Sequence, residues 1–181
     1  MNKQRRAYHH GNLPSTMVAA GLALVEAAGV EALSLRKLAA RIRVSAAAVY
    51  RHFADKDALL AAIAAEGFAM LNDKFDATAP TSEVHDPLSR LQALGSAYVN
   101  LALGHPGLFR LMFGSRQRSG VRDARLDEQA RRAYRTLEAT VAAWSMVHGY
   151  AMLRLEDQLA GFPPDSLPDT PAILASLIPQ A

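Results

Sequence analysis

Apolar positions near the start of the chain repeat with the period of an α-helix. They lie at i, i+3, i+4, i+7, i+8 and i+11, which places them on one helix face. These residues are Met17, Ala20, Gly21, Leu24, Val25 and Ala28. The pattern predicts a first helix that starts after Asn12 and ends at Gly29, because Asn is a favoured N-cap and Gly a frequent C-terminal stop.

Three further helices are predicted from their capping residues. Ser34, Ser45 and Asp55 indicate the starts of the second, third and fourth helices, because their side-chain oxygens accept hydrogen bonds from free backbone N–H groups. The third helix is expected to be short and to end near Phe53, and the fourth to reach about Asp76.

A stretch rich in Pro, Thr and Ser, residues 77–86, predicts a loop and a domain boundary. Helical patterning resumes at Pro87 and again at Pro106, since Pro is tolerated in the first turn of a helix. No alternation typical of strands is found. We therefore predict an all-α fold. Its parts are an N-terminal domain over residues 1–57, a connecting fourth helix over 55–76 and a C-terminal helical domain over 77–181.

Residues 122–159 carry one uninterrupted helical pattern. A helix of that length without caps is unusual in a globular protein. We therefore expect a break between Arg135 and Trp144, although neither Gly nor Pro marks it.

Composition narrows the classes of function. The chain has no cysteine, which excludes disulfides, thiolate metal sites and cysteine nucleophiles. It has no Gly-rich phosphate loop, no serine nucleophile motif and no paired-carboxylate site, and its histidines are scattered. We therefore expect neither an enzyme nor a metal or cofactor site. No apolar run is long enough to span a membrane, so we expect a cytoplasmic protein.

Charge is unevenly distributed along the chain. Residues 1–57 contain nine Lys or Arg and four Asp or Glu, whereas residues 58–181 contain eleven and thirteen. This asymmetry favours contact of the N-terminal third with a polyanion. The alternative is a basic face that is simply solvated.

Residues 34–53, SLRKLAARIRVSAAAVYRHF, fit a helix-turn-helix. Ala39 is small enough for two helices to cross closely, and Val44, Val49 and Phe53 are placed to lock the second helix onto the first. The second helix is then free to lie in the major groove of DNA, which is wide enough to admit it.

This block resembles the DNA-binding domain of the TetR/AcrR family of bacterial regulators. YHHGNL at residues 8–13 and AVYRHFADKDALL at residues 48–60 resemble that family too. HPGLFRLMFG at residues 105–114 and WSMVHG at residues 144–149 resemble the C-terminal domain of a subgroup with a Trp-His-Gly signature. The resemblance implies a ligand-responsive repressor that binds a palindromic operator as a homodimer, with a small-molecule effector of unknown identity.

The resemblance also implies roles for residues of the third helix and for Lys56 at the start of the fourth. Ala46, Ala47 and Ala48 would face base edges, while Tyr50, His52 and Lys56 would contact phosphates. Arg51 is the candidate for a base hydrogen bond, because guanidinium binds guanine O6 and N7 bidentately. The alternatives are a packing role for Tyr50 and a plain surface position for His52. We also assign Ser34, Arg36 and Ser45 to the DNA interface.

Arg43 is a departure from the family, which usually has Gly at this turn. Either Arg43 adopts a left-handed conformation at a cost of about 1 kcal/mol, or the turn is built differently. A phosphate contact from Arg43 would offset that cost.

The C-terminal helices carry a few polar or aromatic residues that are candidates for a ligand pocket, since such pockets are mostly apolar with few polar groups. They are Tyr98, His105, Phe109, Met112, Trp144 and His148. Trp144 and His148 are four residues apart and share a helix face. The alternative for each histidine is a core residue with satisfied hydrogen bonds.

We expect the dimer interface on residues 141–159 and 170–178, whose apolar residues exceed what one small domain buries. The rival function is a non-sequence-specific DNA-binding or interaction protein. Competition with random DNA at moderate salt separates the two, because only specific binding survives it.

Overall fold

The computed structural model describes residues 13–78, 87–114, 123–138 and 141–175. Within these segments the secondary structure is helical, with no strand. The helices are α1 (Leu13–Ala28), α2 (Leu35–Arg41), α3 (Ala46–Tyr50), α4 (Lys56–Ala77), α5 (Pro87–Gly104), α6 (Pro106–Phe113), α7 (Ala124–Glu138), α8 (Val141–Leu155) and α9 (Thr170–Ala175). The predicted all-α fold with an N-terminal helix-turn-helix is confirmed.

The first four helices pack around a shared apolar centre. Met17 of α1, Leu38 of α2, Val49 of α3 and Leu59 of α4 are all buried in one apolar core. Gly21 lets α1 approach α4 closely, because a Cβ there would lie 2.8 Å from Ile63 Cδ1. The helix-turn-helix therefore shares its core with α1, which itself packs on α4.

Two of the predicted caps are confirmed. The backbone N–H of Ala48 donates to Ser45 Oγ over 3.2 Å, and that of Ala58 donates to Asp55 Oδ1 over 2.8 Å. Ser34 does stand at the N-cap position of α2, but its side chain makes no capping hydrogen bond. The prediction of a side-chain cap at Ser34 is therefore wrong.

Helix α3 ends at Tyr50, three residues before the predicted end near Phe53. The reason is that the chain tightens after Tyr50. The N–H groups of His52 and Phe53 both donate to the Val49 carbonyl, which turns the Phe53 side chain into the core. Arg51 and His52 consequently follow the helix rather than belonging to it.

Helix α4 is the central element of the molecule, and α1, α5, α6 and α7 all pack on it. Its buried polar side chain Asn72 donates two hydrogen bonds of 3.0 Å to Gln129 of α7, one to the carbonyl oxygen and one to Oε1. Burial of an amide is tolerable only when it is hydrogen-bonded in this way, so Asn72 fixes the register of α4 against α7.

Helices α5, α8 and α9 pack against one another. Gly95 of α5 makes this possible, because a Cβ there would overlap Leu174 Cδ1 of α9. The predicted break between Arg135 and Trp144 includes residues 139 and 140, which lie outside the described residues. Across the described ranges, none of the helices combines the length and apolar character needed to cross a membrane.

Candidate nucleic-acid interface and cavity

The turn between α2 and α3 is closed by Arg43 in the left-handed region, with φ of 60°. The N–H of Val44 donates to the Ala39 carbonyl over 3.0 Å, and the N–H of Arg43 donates to the Ala40 carbonyl over 3.2 Å. This pair of hydrogen bonds is the common way to end a helix with a left-handed residue, a position that Gly usually takes. Of the two conformations considered for this turn, the left-handed one is therefore found.

The recognition helix α3 is anchored by its inward side. Val49 is completely buried, and Phe53 and Ala39 are nearly so. Val44 is half-buried and packs against the same cluster. The sequence predicts Ala39 at the close crossing of the two helices and the other three residues as those that lock the second helix onto the first, and their burial leaves the opposite side of α3 free of the core.

The outward side of α3 and its flanks is accessible. All eleven residues assigned to DNA contact are exposed or half-buried: Ser34, Arg36, Arg43, Ser45, Ala46, Ala47, Ala48, Tyr50, Arg51, His52 and Lys56. Tyr50 is 46% exposed, which argues against the alternative of a packing aromatic. The surface offers methyl groups at its centre and cationic or hydroxyl groups around them.

Lys56 begins α4, directly after the capping residue Asp55. Its ammonium lies 3.8 Å from the Glu31 carboxylate, in an exposed ion pair. Exposed pairs of this kind contribute at most about 1 kcal/mol, so Lys56 remains available to a stronger anion such as a phosphate.

A second polar cluster joins α5 to α8. Trp144 Nε1 donates to the Tyr98 hydroxyl over 3.2 Å, and the Tyr98 hydroxyl lies 2.7 Å from His148 Nδ1. Because the indole nitrogen is only a donor, the Tyr98 oxygen accepts that bond. The tautomer of His148 sets which of the two groups donates in the hydrogen bond between Tyr98 and His148 Nδ1.

Burial favours the uncharged forms of the titratable side chains in and near this cluster. Desolvation raises the pKa of the Tyr98 hydroxyl well above its ordinary value, although the hydrogen bond from Trp144 opposes the shift. Desolvation also lowers the pKa of His148 below its ordinary value and raises the pKa of Tyr134. Each of the three side chains is thus held in its uncharged form.

A cavity of about 10 Å³ lies beside this cluster. That is the room for about one water molecule. Its described walls come from α5, α7, α8 and α9 and carry no acidic or basic side chain. The lining residues are Leu91, Leu94, Gly95, Tyr98, Thr136, Leu137, Ala143, Trp144, Val147 and Leu174.

The six predicted ligand residues are only partly brought together. Tyr98 and Trp144 line the cavity, and His148 is bonded to Tyr98. Phe109 packs edge-on against Tyr98, with ring centroids 5.3 Å apart. The other two do not line the cavity. Met112 of α6 is buried against Gly67 of α4, and His105 stands at the start of α6 near Glu26.

Sequence reasoning missed two long-range contacts, one made by Glu26 and the other by Arg110. Glu26 of α1 accepts hydrogen bonds from the first turn of α6, and Arg110 of α6 donates to Glu156 and to the Leu155 carbonyl at the end of α8. Both link positions far apart along the chain, so no local spacing signals them.

Two family models match separate parts of the chain. The model for bacterial regulatory proteins of the tetR family matches residues 17–63, and a tetracyclin repressor-like C-terminal domain matches residues 91–172. The first covers the helix-turn-helix and the start of α4. The second covers the helices that surround the cavity.

Among curated proteins, the tetracycline repressor protein class G of Vibrio anguillarum is 42% identical over 65 residues, which is 36% of this chain and 30% of the repressor. The class A repressor from transposon 1721 of Escherichia coli is 40% identical over 70 residues, 39% of this chain and 31% of that protein. The matched segment thus spans less than a third of either repressor's length.

Solved structures share the whole fold. A Rhodococcus sp. RHA1 protein with unknown function is 29% identical with a TM-score of 0.72, over 95% of this chain and 94% of that one. A single-substitution variant of TetR from Acinetobacter baumannii AYE, in complex with minocycline, is 27% identical with a TM-score of 0.54, over 90% and 88%. The match to a Trp-His-Gly subgroup stays a prediction. The helix-turn-helix, the two family models matched over residues 17–63 and 91–172, and the shared fold show that this chain belongs to the TetR family of bacterial regulatory proteins.

Proposed function

We propose that this regulator is a ligand-responsive repressor that binds a palindromic operator as a homodimer. The observation that carries the proposal is the construction of α3. Its buried side is locked by Val49 and Phe53, its first turn is capped by Ser45, and its other side is exposed. A rigid helix with an accessible face is what insertion into a major groove requires.

We assign the recognition of DNA sequence to few side chains. The alanines at positions 46–48 offer methyl contacts to thymine but no hydrogen bond, so Arg51 is the proposed reader of a guanine. Tyr50, His52 and Lys56 are assigned to phosphates, together with Arg36, Arg43 and the hydroxyls of Ser34 and Ser45. DNA shape supplies the rest of the discrimination.

The dimer is assigned to the outward face of α8. Val141, Ser145, Gly149 and Leu153 follow one another at intervals of four and therefore share a helix face. Val141 is 55% exposed and Leu153 is 45% exposed. A Cβ on Gly149 would meet no atom within 4 Å, so a second helix has room to approach. A self-complementary apolar face of this kind favours a two-fold dimer, with α9 and residues 176–178, which lie outside the described residues, as its proposed neighbours.

The effector is proposed to be uncharged and largely apolar. The described cavity walls contain no acidic or basic side chain, and the polar atoms of Tyr98 and Trp144 already bond each other. Because the cavity is small, an effector can enter only if the helices that form its wall move and the hydrogen bond between Trp144 and Tyr98 breaks. Trp144 is the one tryptophan of the chain, so its fluorescence reports this step directly. Toluene should perturb it at lower concentration than benzoate or benzylammonium; equal responses would contradict the assignment.

The function itself is tested by selection from randomised duplexes, followed by competition with random DNA at moderate salt. We expect recovery of a two-fold symmetric site whose binding survives the competitor, typically about 10³-fold tighter than non-specific binding or better. Binding that vanishes under competition would support the rival, a non-sequence-specific DNA-binding protein. Such a regulator acts where the operator DNA is, which is the basis for expecting a cytoplasmic location.

A further inference from the structure

Glu26 joins the N-terminal helices to the C-terminal ones through an unusual cap. It lies in the last turn of α1, with 23% of its side chain exposed. Its two carboxylate oxygens accept the backbone N–H groups of Gly107 over 3.0 Å and of Leu108 over 2.9 Å. These N–H groups belong to the first turn of α6, where backbone donors have no partner within the helix.

The packing around this cap is close. A Cβ on Gly107 would lie 2.7 Å from the Val25 carbonyl oxygen and 3.1 Å from the Glu26 Cα. Backbone cannot yield as a flexible side chain can, so only glycine lets α6 sit directly on the end of α1. The carboxylate also faces the partial positive charge of the α6 N-terminus, which strengthens both hydrogen bonds.

The far part of α6 reaches the cavity cluster and the end of α8. Phe109 packs on Tyr98 and lies with its ring centroid 5.9 Å from that of His148. Arg110 Nε donates to Glu156 Oε1 over 2.8 Å, just beyond α8. Helix α6 therefore connects the end of α1 with the two helices that form the cavity cluster.

We propose that Glu26 is a positioning residue that fixes the orientation of α1–α3 relative to α6 and thereby sets the half-site spacing that the dimer accepts. The inference rests on the proposed dimeric operator binding. With the cap in place, α1 and α6 move as one body, so the separation of the two recognition helices follows the arrangement of the C-terminal helices. Without the cap, α1 keeps its packing on α4 but loses its hydrogen bonds to α6, so the orientation of the N-terminal helices relative to α6 is less narrowly fixed.

The test uses duplexes that carry the selected half-site sequence with one to several base pairs added to or removed from the spacer. We expect the wild-type protein to prefer one spacing by about tenfold or more over its neighbours, a difference of about 1.4 kcal/mol. Glu26→Ala should bind several spacings with nearly equal affinity. Glu26→Gln should be intermediate, because the single amide oxygen accepts one of the two hydrogen bonds and carries no charge, while the NH2 group cannot accept the other.

Two further variants separate positioning from simple destabilisation. Gly107→Ala leaves Glu26 intact but forces α6 away from the Val25 carbonyl, so it should broaden the spacing profile in the same way. Glu66→Gln is the matched control, because it removes an exposed carboxylate that pairs with Arg125 of α7 and not with the first turn of α6. It should keep the wild-type profile. In all variants the half-site sequence preference should stay the same, since the contacts of α3 are untouched.

A Glu26→Ala protein that keeps the wild-type spacing profile would overturn the inference, even if its thermal midpoint falls. If Glu26→Ala does not fold, the same result with Gly107→Ala and Glu26→Gln overturns it. A wild-type protein that binds no specific duplex would instead contradict the proposed function.

Discussion

Replacing Arg43 by glycine should stabilise the protein. The left-handed conformation costs an L-residue about 1–2 kcal/mol, and glycine escapes that cost. Glycine in turn loses about 0.5–1 kcal/mol through the greater freedom of the unfolded chain. With φ of 60° at Arg43 and both turn hydrogen bonds made by backbone atoms, the substitution keeps the turn intact. The net gain expected for Arg43→Gly is therefore about 0.5–1 kcal/mol, or about 2 °C in the thermal midpoint.

DNA binding should change in the opposite direction. Arg43 is exposed beside α3 and is assigned to a phosphate, so its loss should weaken binding to all sequences alike. The slope of log affinity against log salt should fall by about 1 per half-site. The variant should thus be more stable but bind DNA less tightly, which is the result expected if the charge of Arg43 strengthens DNA binding at a cost in stability.

Asp157 is the matched control, because it also has a positive φ, 55°, just after α8. The N–H of Gln158 donates to the Leu153 carbonyl there over 2.9 Å, as in the α2–α3 turn. Asp157→Gly should give a smaller gain, since Asp tolerates this conformation better than Arg, and should leave the salt slope unchanged. Urea unfolding at one fixed protein concentration measures both stability changes, and salt titration of DNA binding measures the slopes. A neutral or destabilising Arg43→Gly would refute the assignment of strain to this turn.

Three other predictions concern the reading surface, the dimer and the cavity. Arg51→Ala should relax the base preference at one symmetric base pair per half-site by about 1–3 kcal/mol, and an unchanged selection profile would contradict this role. Lys56→Ala should weaken binding to all DNA sequences alike and lower the salt slope by about 1 per half-site, and an unchanged slope would contradict that role. Gly149→Leu should be a folded monomer by light scattering. Gly104→Leu is the control, because a Cβ there also meets open space, and it should remain dimeric. A dimeric Gly149→Leu protein would contradict the assignment of the interface to α8. Because burial lowers the folded-state pKa of His148, the unfolded chain takes up the proton first, so stability should fall as pH drops below about 6.5, the ordinary pKa. His148→Gln should flatten that part of the profile of stability against pH. An unchanged profile would refute the assignment of this pH dependence to His148.

The helix-turn-helix was predictable because its signals are local. Capping by Ser45 and Asp55 and the burial of Val49 and Phe53 each depend on residues only a few positions away, and all four predictions are confirmed. The side-chain cap expected at Ser34 fails because serine at an N-cap position need not orient its hydroxyl toward the helix.

The C-terminal site was predictable only as a set of residue types. The sequence singles out Tyr98, Trp144 and His148, but their hydrogen-bonded order depends on how α5 packs against α8. His105 shares their polarity, yet α6 carries it to the α1 side of the molecule. The Glu26 cap joins residues about eighty positions apart, so only the packed fold shows it.

The stoichiometry of the wild-type protein on its selected duplex tests the central claim most directly. Sedimentation or light scattering should find two chains per full site and a sigmoidal rise of binding with protein concentration below the dimerisation range. A duplex with one half-site should bind much more weakly. Saturation at one chain per full site, with binding that rises linearly in protein, would contradict both the homodimer and the proposed reading of a two-fold operator by paired α3 helices.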